Sequence, residues 1–173
     1  MKKQLVKVDK FIRLSREKIL YAEDDESIVF VSGGVCALLL DKNDSEAGEI
    51  ISDMRDKVVD RLEHRPTILD YIRGVAHPKG DLEYIFDTGI RFKLGRASAA
   101  VHCNVGHTEC KFHDAKMLDI FDGMQAYSVS QLTGTVFEHG GVIGILMPLR
   151  GEKTADEVRK SFECIANYLS ESR

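Results

Sequence analysis

Nowhere in the 173 residues does an apolar run approach the ~18 consecutive residues that a membrane helix requires. Met1-Lys2-Lys3-Gln4 leads into an amphipathic segment rather than the apolar core of a secretion signal, so a cytoplasmic location is expected. Cysteine is scarce. Cys36, Cys103, Cys110 and Cys164 are too few and too scattered for a disulfide scaffold, and reduced thiols are expected. Basic charge is not in excess either: the net charge is -4, which leaves no global field to draw the protein onto nucleic acid or an anionic membrane. The cations between Lys2 and Lys18 are answered at once by Glu23, Asp24, Asp25 and Glu26, the pattern of a solvated helix face. Phosphate-cradling motifs are missing. Neither Gly-x-x-x-x-Gly-Lys nor Gly-x-Gly-x-x-Gly occurs, and the turns at Gly33-Gly34 and Gly140-Gly141 are not followed by helices, so nucleotide hydrolysis is not indicated.

What remains is 43% hydrophobic and 30% charged, a composition and length that suit one domain burying roughly 70% of its unfolded surface. Leu5, Val8, Ile12, Ile19 and Leu20 predict an N-terminal helix within residues 1–22. Two short apolar runs, Ile28 to Val31 and Val35 to Leu40, flank Ser32-Gly33-Gly34 and predict a buried hairpin of central strands. Ala47, Ile50, Ile51, Met54, Val58 and Leu62 share one helical face behind a cap at Asp44 or Ser45, and a shorter helix follows Pro66, making residues 44–76 a helical segment. Alternation at Leu82, Tyr84 and Phe86, then at Ile90, Phe92 and Leu94, predicts a hairpin turning at Asp87-Thr88-Gly89. Strands over 97–103 and 107–113, a short helix over 114–121, and strands flanking His139-Gly140-Gly141 make 82–147 mainly antiparallel sheet. Thr154 with Glu157 forms a capping box ahead of the stripe Val158, Phe162, Ile165, Ala166 and Leu169, which predicts a closing helix within 154–171. The sum is a single α+β domain with an antiparallel sheet flanked by helices.

The densest chemical cluster lies between His102 and His113. His102, Cys103, His107, Cys110 and His113 are ligand types that zinc or haem iron accepts. A two-residue hairpin at Val105-Gly106 would set Cys103 opposite Thr108, His102 opposite Glu109 and Val101 opposite Cys110. The cysteines then share an apolar face, while His102, His107 and Glu109 share the other. That division argues against one mixed Cys/His tetrahedron, and no Cys-x-x-Cys pair is present. Two readings follow: core cysteines beside a polar histidine face, or a metal or ligand site at His102, His107 and Glu109 with His113 nearby. Cys103 or Cys110 beside a histidine could also be held as a thiolate nucleophile, against which a buried free cysteine behaves as a small hydrophobe. Arg91, Lys93 and Arg96 could meet an anionic ligand or form the wet face of a strand. Charge thins out where strands 97–103, 107–113 and 126–138 would face the helix 114–121, so a pocket is expected there. Its candidate walls are Phe92, Val101, Cys103, Cys110, Phe112, Met117, Phe121, Met124 and Tyr127, with Arg96 at its edge.

The order Thr135-Val136-Phe137-Glu138-His139-Gly140-Gly141-Val142-Ile143-Gly144-Ile145-Leu146, followed by the helix Thr154 to Leu169, resembles the last two strands and final helix of a GAF domain. The resemblance implies a GAF/PAS-like fold and a sensory or regulatory module that binds a small ligand and dimerises through its flanking helices. It brings no catalytic signature. Phe121-Asp122-Gly123-Met124 is similar to the Asp-Gly-Ala motif of diadenylate cyclases, whose Gly-Thr-Arg-His-Arg partner is missing here. The expectation is therefore a non-catalytic ligand-sensing domain and a homodimer. A zinc or haem protein built on the His102 to His113 hairpin, and a roadblock-like protein-interaction module, are the alternatives.

Overall fold

The computed structural model describes residues 4–78, 82–106, 109–130 and 133–149, together with Asn167 and Glu171. Within them the chain is an α+β fold on a ten-stranded, mostly antiparallel sheet. The strands are β1 (Ile19–Glu23), β2 (Ser27–Ser32), β3 (Cys36–Asp41), β4 (Leu62–His64), β5 (Glu83–Leu94), β6 (Ala97–Asn104), β7 (Cys110–Asp114), β8 (Gln125–Ser128), β9 (Thr135–His139) and β10 (Val142–Leu146). They lie in the order β4-β1-β2-β3-β10-β9-β8-β5-β6-β7, and only β1 with β4 runs parallel. The helices are α1 (Val8–Leu14), α2 (Ser45–Val58), α3 (Ile68–Ala76) and the single turn α4 (Ala115–Leu118). No helix among the described residues is long and apolar enough to cross a membrane.

The hairpin β2/β3 forms where the apolar runs place it, with Gly33 and Gly34 both at positive φ in its turn. Asp44 caps α2 by accepting the Ala47 amide at 2.9 Å. Ala47, Ile50, Met54 and Val58 of α2 join Val8, Phe11 and Ile12 of α1 over Ile28, Phe30, Leu38, Leu40, Val142 and Leu146, which is the main core on one face of the sheet. On the other face Leu69, Ile72 and Ala76 of α3 cover Ala22, Val29, Ala37, Leu39 and Ile145.

Three expectations are corrected. The N-terminal helix is confined to α1, because the segment beyond it joins the sheet: Ile19–Glu23 pairs with β2 on one side and β4 on the other. Glu83–Leu94 is one strand rather than a hairpin. Asp87-Thr88-Gly89 does make its turn, the Gly89 amide donating to Asp87 Oδ1 at 2.9 Å with Gly89 at φ +78°, but the turn is a bulge inside β5. Thr88 Oγ1 donates to the Val101 carbonyl at 2.9 Å and anchors the bulge on β6. The helical segment 44–76 is interrupted by β4, which adds a sheet edge between α2 and α3. The closing helix expected over 154–171 falls outside the described residues, apart from Asn167 and Glu171.

The far end of the sheet rolls up. His113 on β7 and Thr135 on β9 lie four strands apart in the order, about 19 Å if the strands were flat at their usual ~4.8 Å spacing. Yet His113 Nε2 is 2.7 Å from Thr135 Oγ1, and the Leu149 amide, just past β10, donates to the Phe112 carbonyl of β7 at 2.8 Å. Strands β5 to β10 therefore enclose an interior, with the turn after α4 packed at its mouth.

That packing depends on Gly144. A Cβ there would stand 2.2 Å from Phe121 Cε1, and Phe121 stacks on Phe137 with ring centroids 4.8 Å apart. Gly144→Ala is expected to lower stability by about 2 kcal/mol through overpacking. The same change in a Phe121→Leu background is expected to cost less, because the obstructing ring is gone. Equal costs in the two backgrounds, read from denaturant midpoints, would separate Gly144 from this contact.

Candidate functional site

Between α1, the bulged part of β5 and α4 lies a cleft of about 1300 Å³, lined among others by Lys10, Arg13, Asp87, Arg91, His102, Met117, Phe121 and Met124. Its outer wall is built from local chemistry. Asp114 caps α4 by accepting the Lys116 amide at 2.8 Å, which turns Met117 and Leu118 inward, and the 3-10 turn Asp119–Phe121 then sinks Ile120 and Phe121 into the core. Lys7 and Lys10 both pair with Asp119, and the Lys7 amide donates to the Ile120 carbonyl at 3.0 Å, so α1 and this wall are tied together.

The floor comes from β5 and β6. The bulge holds three residues of β5 against one of β6, so alternation resumes in phase and Asp87 and Arg91 face the same way. Arg91 grips Asp87 with two donors, at 2.8 and 2.7 Å, which holds the carboxyl below its usual range. His102 stands opposite Asp87 in the register and is 4% exposed. Burial lowers its pKa against the partial opposition of Asp87, so the ring is neutral at pH 7.

Behind His102 the interior is polar. His113 meets it edge-on at 4.9 Å between centroids, and burial pushes the His113 pKa down to about 3. The Nδ1 atoms of both rings are buried without a hydrogen-bond partner. Deeper in, Lys111 donates to Ser128 Oγ at 2.6 Å, and burial lowers its ammonium to about 8, with the Glu109 charge opposing.

The residues expected to wall one pocket are divided by the sheet. Met117, Phe121 and Met124 line the cleft. Val101, Cys103 and Cys110 form a separate cluster with Phe86, Ile90, Phe92 and Phe112 on the opposite face, because they occupy the other parity of β5, β6 and β7. Tyr127 sits across from Tyr84 on β8, and Arg96 is exposed in the turn between β5 and β6. Of the metal-ligand candidates, the structure brings His102 and His113 together and sets Glu109 beside Asn104 and Lys111, around a separate small cavity. His107 lies outside the described residues. Among the described residues no three His, Cys, Asp or Glu side chains converge as metal ligands. The register of β6 with β7 is two residues away from the tight hairpin expected, with Cys103 opposite Cys110 and His102 opposite Lys111. A shift of two keeps every side chain on its expected face.

Sequence reasoning missed Lys10 and Asp87 as cleft residues. Asp87 carried a signal, since it stands four residues before Arg91 across a glycine turn; Lys10 carried none, because α1 meets the cleft only through the fold.

The two buried imidazoles make stability depend on pH. Their folded pKa values lie below the ordinary 6.5, so as pH falls below about 6.5 the unfolded chain binds protons that the folded chain excludes, and stability declines toward about pH 3. Each histidine contributes a slope of at most about 1.4 kcal/mol per pH unit. Carboxylates with lowered pKa, such as Asp24 at about 2, add their loss only as pH falls through the ordinary 3.8 and below. Urea midpoints are therefore expected to drop between pH 7 and 5, and to drop less in His113→Gln. A flat profile over that range would mean that these rings are hydrated.

No protein-family model matches the chain, and no curated protein or solved structure matches it.

Proposed function

We propose that this protein is a non-catalytic regulatory domain of GAF/PAS-like character that binds a small molecule in the cleft between its sheet and α4. The observation that carries this reading is His102: a neutral imidazole, 4% exposed, on the floor of a cleft of about 1300 Å³ with its Nδ1 unpartnered. A buried polar atom without a partner costs about 1–3 kcal/mol, which a ligand's hydrogen bond would recover if the ring turned that atom toward the cleft. The wall opposite is apolar and adaptable, with the thioethers of Met117 and Met124 beside the ring of Phe121. A planar heteroaromatic compound with hydrogen-bonding edges, such as a nucleobase or a related metabolite, fits both surfaces. Two carboxylates of the cleft are engaged in ion pairs, Asp87 by Arg91 and Asp119 by Lys7 and Lys10. Asp87, which faces His102, is thus committed to an ion pair rather than poised to relay a proton, and this supports binding over catalysis.

A thermal-shift screen of heteroaromatic metabolites and nucleosides tests the reading. A ligand at a hundred times its dissociation constant adds about 2.7 kcal/mol, or about 5–10 °C in Tm for a chain of this size. Met117→Trp, which fills the cleft from its half-buried wall, is expected to abolish that shift while leaving the unliganded Tm within a few degrees. A ligand whose shift survives Met117→Trp would place binding elsewhere. Recovery of the native protein with a stoichiometric transition metal, lost in His102→Ala, would overturn the reading in favour of a metal site.

A further inference from the structure

Cys103 and Cys110 face each other across β6 and β7. The Asn104 amide donates to the Glu109 carbonyl at 3.2 Å, so the neighbouring pair Asn104/Glu109 is a hydrogen-bonded pair of the ladder. Alternation then makes Cys103/Cys110 a non-hydrogen-bonded pair, the class in which opposed Cα atoms approach to about 4.5 Å and side chains lie closest. A disulfide needs Cα atoms about 4.4–6.8 Å apart, a range that includes the separation usual for such a pair. The other described cysteine, Cys36, is on β3, paired with β2 and β10 and far along the sheet order.

We propose that Cys103 and Cys110 form a reversible dithiol/disulfide site, oxidised by small disulfides of the glutathione class. The two sites differ in chemistry. Cys103 is fully buried and its thiol donates a hydrogen bond to Cys110, which pushes Cys103 up and draws Cys110 down. Cys110, 7% exposed, is consequently the attacking sulfur. Its thiolate attacks one sulfur of oxidised glutathione and expels a glutathione thiolate, leaving a mixed disulfide on Cys110. Cys103 then attacks Cys110 Sγ and expels the second glutathione thiolate, which takes up the Cys103 proton. Two protein thiols are oxidised to one disulfide, and one small disulfide is reduced to two thiols.

The site stands on the face opposite the cleft, in the cluster of Val101, Phe86, Ile90, Phe92 and Phe112. Cys103 directly follows His102, so the same strand carries the cleft floor on one side and the thiol pair on the other. The proposal does not depend on what the cleft binds.

The test treats the full native chain with oxidised glutathione, blocks free thiols with an alkylating agent, and digests with a protease that cuts after glutamate. Cleavage after Glu109 separates the two cysteines, so the bond appears by mass spectrometry as a cross-linked peptide pair lighter by two hydrogens. The expected result is a Cys103–Cys110 link that forms in native buffer, outpaces the same reaction in denaturant, and is reversed by excess reduced glutathione. In Cys103→Ser the product is expected to stop at glutathione on Cys110; should that variant fail to fold, the native and denatured rates of the unmodified chain still decide. Alkylation of both cysteines after oxidant, linkage of either to Cys36 or Cys164, or a link that forms only in denaturant would overturn the proposal.

Discussion

The contact between His113 and Thr135 converts a long sheet into an enclosure. Among the described residues β7 is the last of ten strands in the order, and this contact folds it back toward β9. With it, the side chains of β5 to β9 that share this parity meet across a narrow space, and their burial follows. His102, Asn104, Lys111, His113, Ser128 and Thr135 are all 6% exposed or less, an unusual concentration of polar groups for an interior. The Leu149 amide adds to the closure by donating to the Phe112 carbonyl of β7.

A polar interior must be satisfied or it costs stability, and here the two outcomes are segregated. Lys111 reaches Ser128, and Ser128 in turn donates to the Ser130 carbonyl at 2.9 Å, a chain of satisfied groups around the small cavity. The two imidazoles stay neutral, which removes the large cost of a buried charge but leaves both Nδ1 atoms without partners. Of the two rings, His102 is the one that lines the large cleft. In the proposed reading, a ligand seated beside His102 would meet a polar group that the scaffold has already ordered.

Local chemistry was legible in the sequence wherever it acted over a few residues. The glycines of the β2/β3 and β9/β10 turns, the Asp44 cap of α2 and the short turn of α4 all stand where their residues predict. The same locality misled at Asp87-Thr88-Gly89: a turn bonded by its own aspartate looks alike in a hairpin and in a bulge, and only pairing with β6 distinguishes them. Ile19 and Leu20 read as part of the helix because so short a strand cannot establish a period against a preceding stripe. For the site, period-two alternation placed the cysteines and His102 on opposite faces correctly, even though the hairpin register was off by two. What it could not supply was the roll of the sheet, which rests on contacts between residues 22 apart on strands that never pair. One pocket was therefore expected where the fold makes two faces.

Alternation along β6 also gives one strand two environments. Ala100, His102 and Asn104 look inward, where enclosure lowers the dielectric and holds the imidazole neutral. Val101 and Cys103 look outward into an apolar cluster that shields thiols while leaving Cys110 at its margin. A backbone displacement at Cys103 must move His102, its covalent neighbour, and the bulge anchored by Thr88 on the Val101 carbonyl is the next point along the strand to feel it. That bulge aims Asp87 and Arg91 into the cleft. Chemistry on the outer face of β6 is thus mechanically adjacent to the floor of the cleft, through three consecutive residues rather than through the body of the domain.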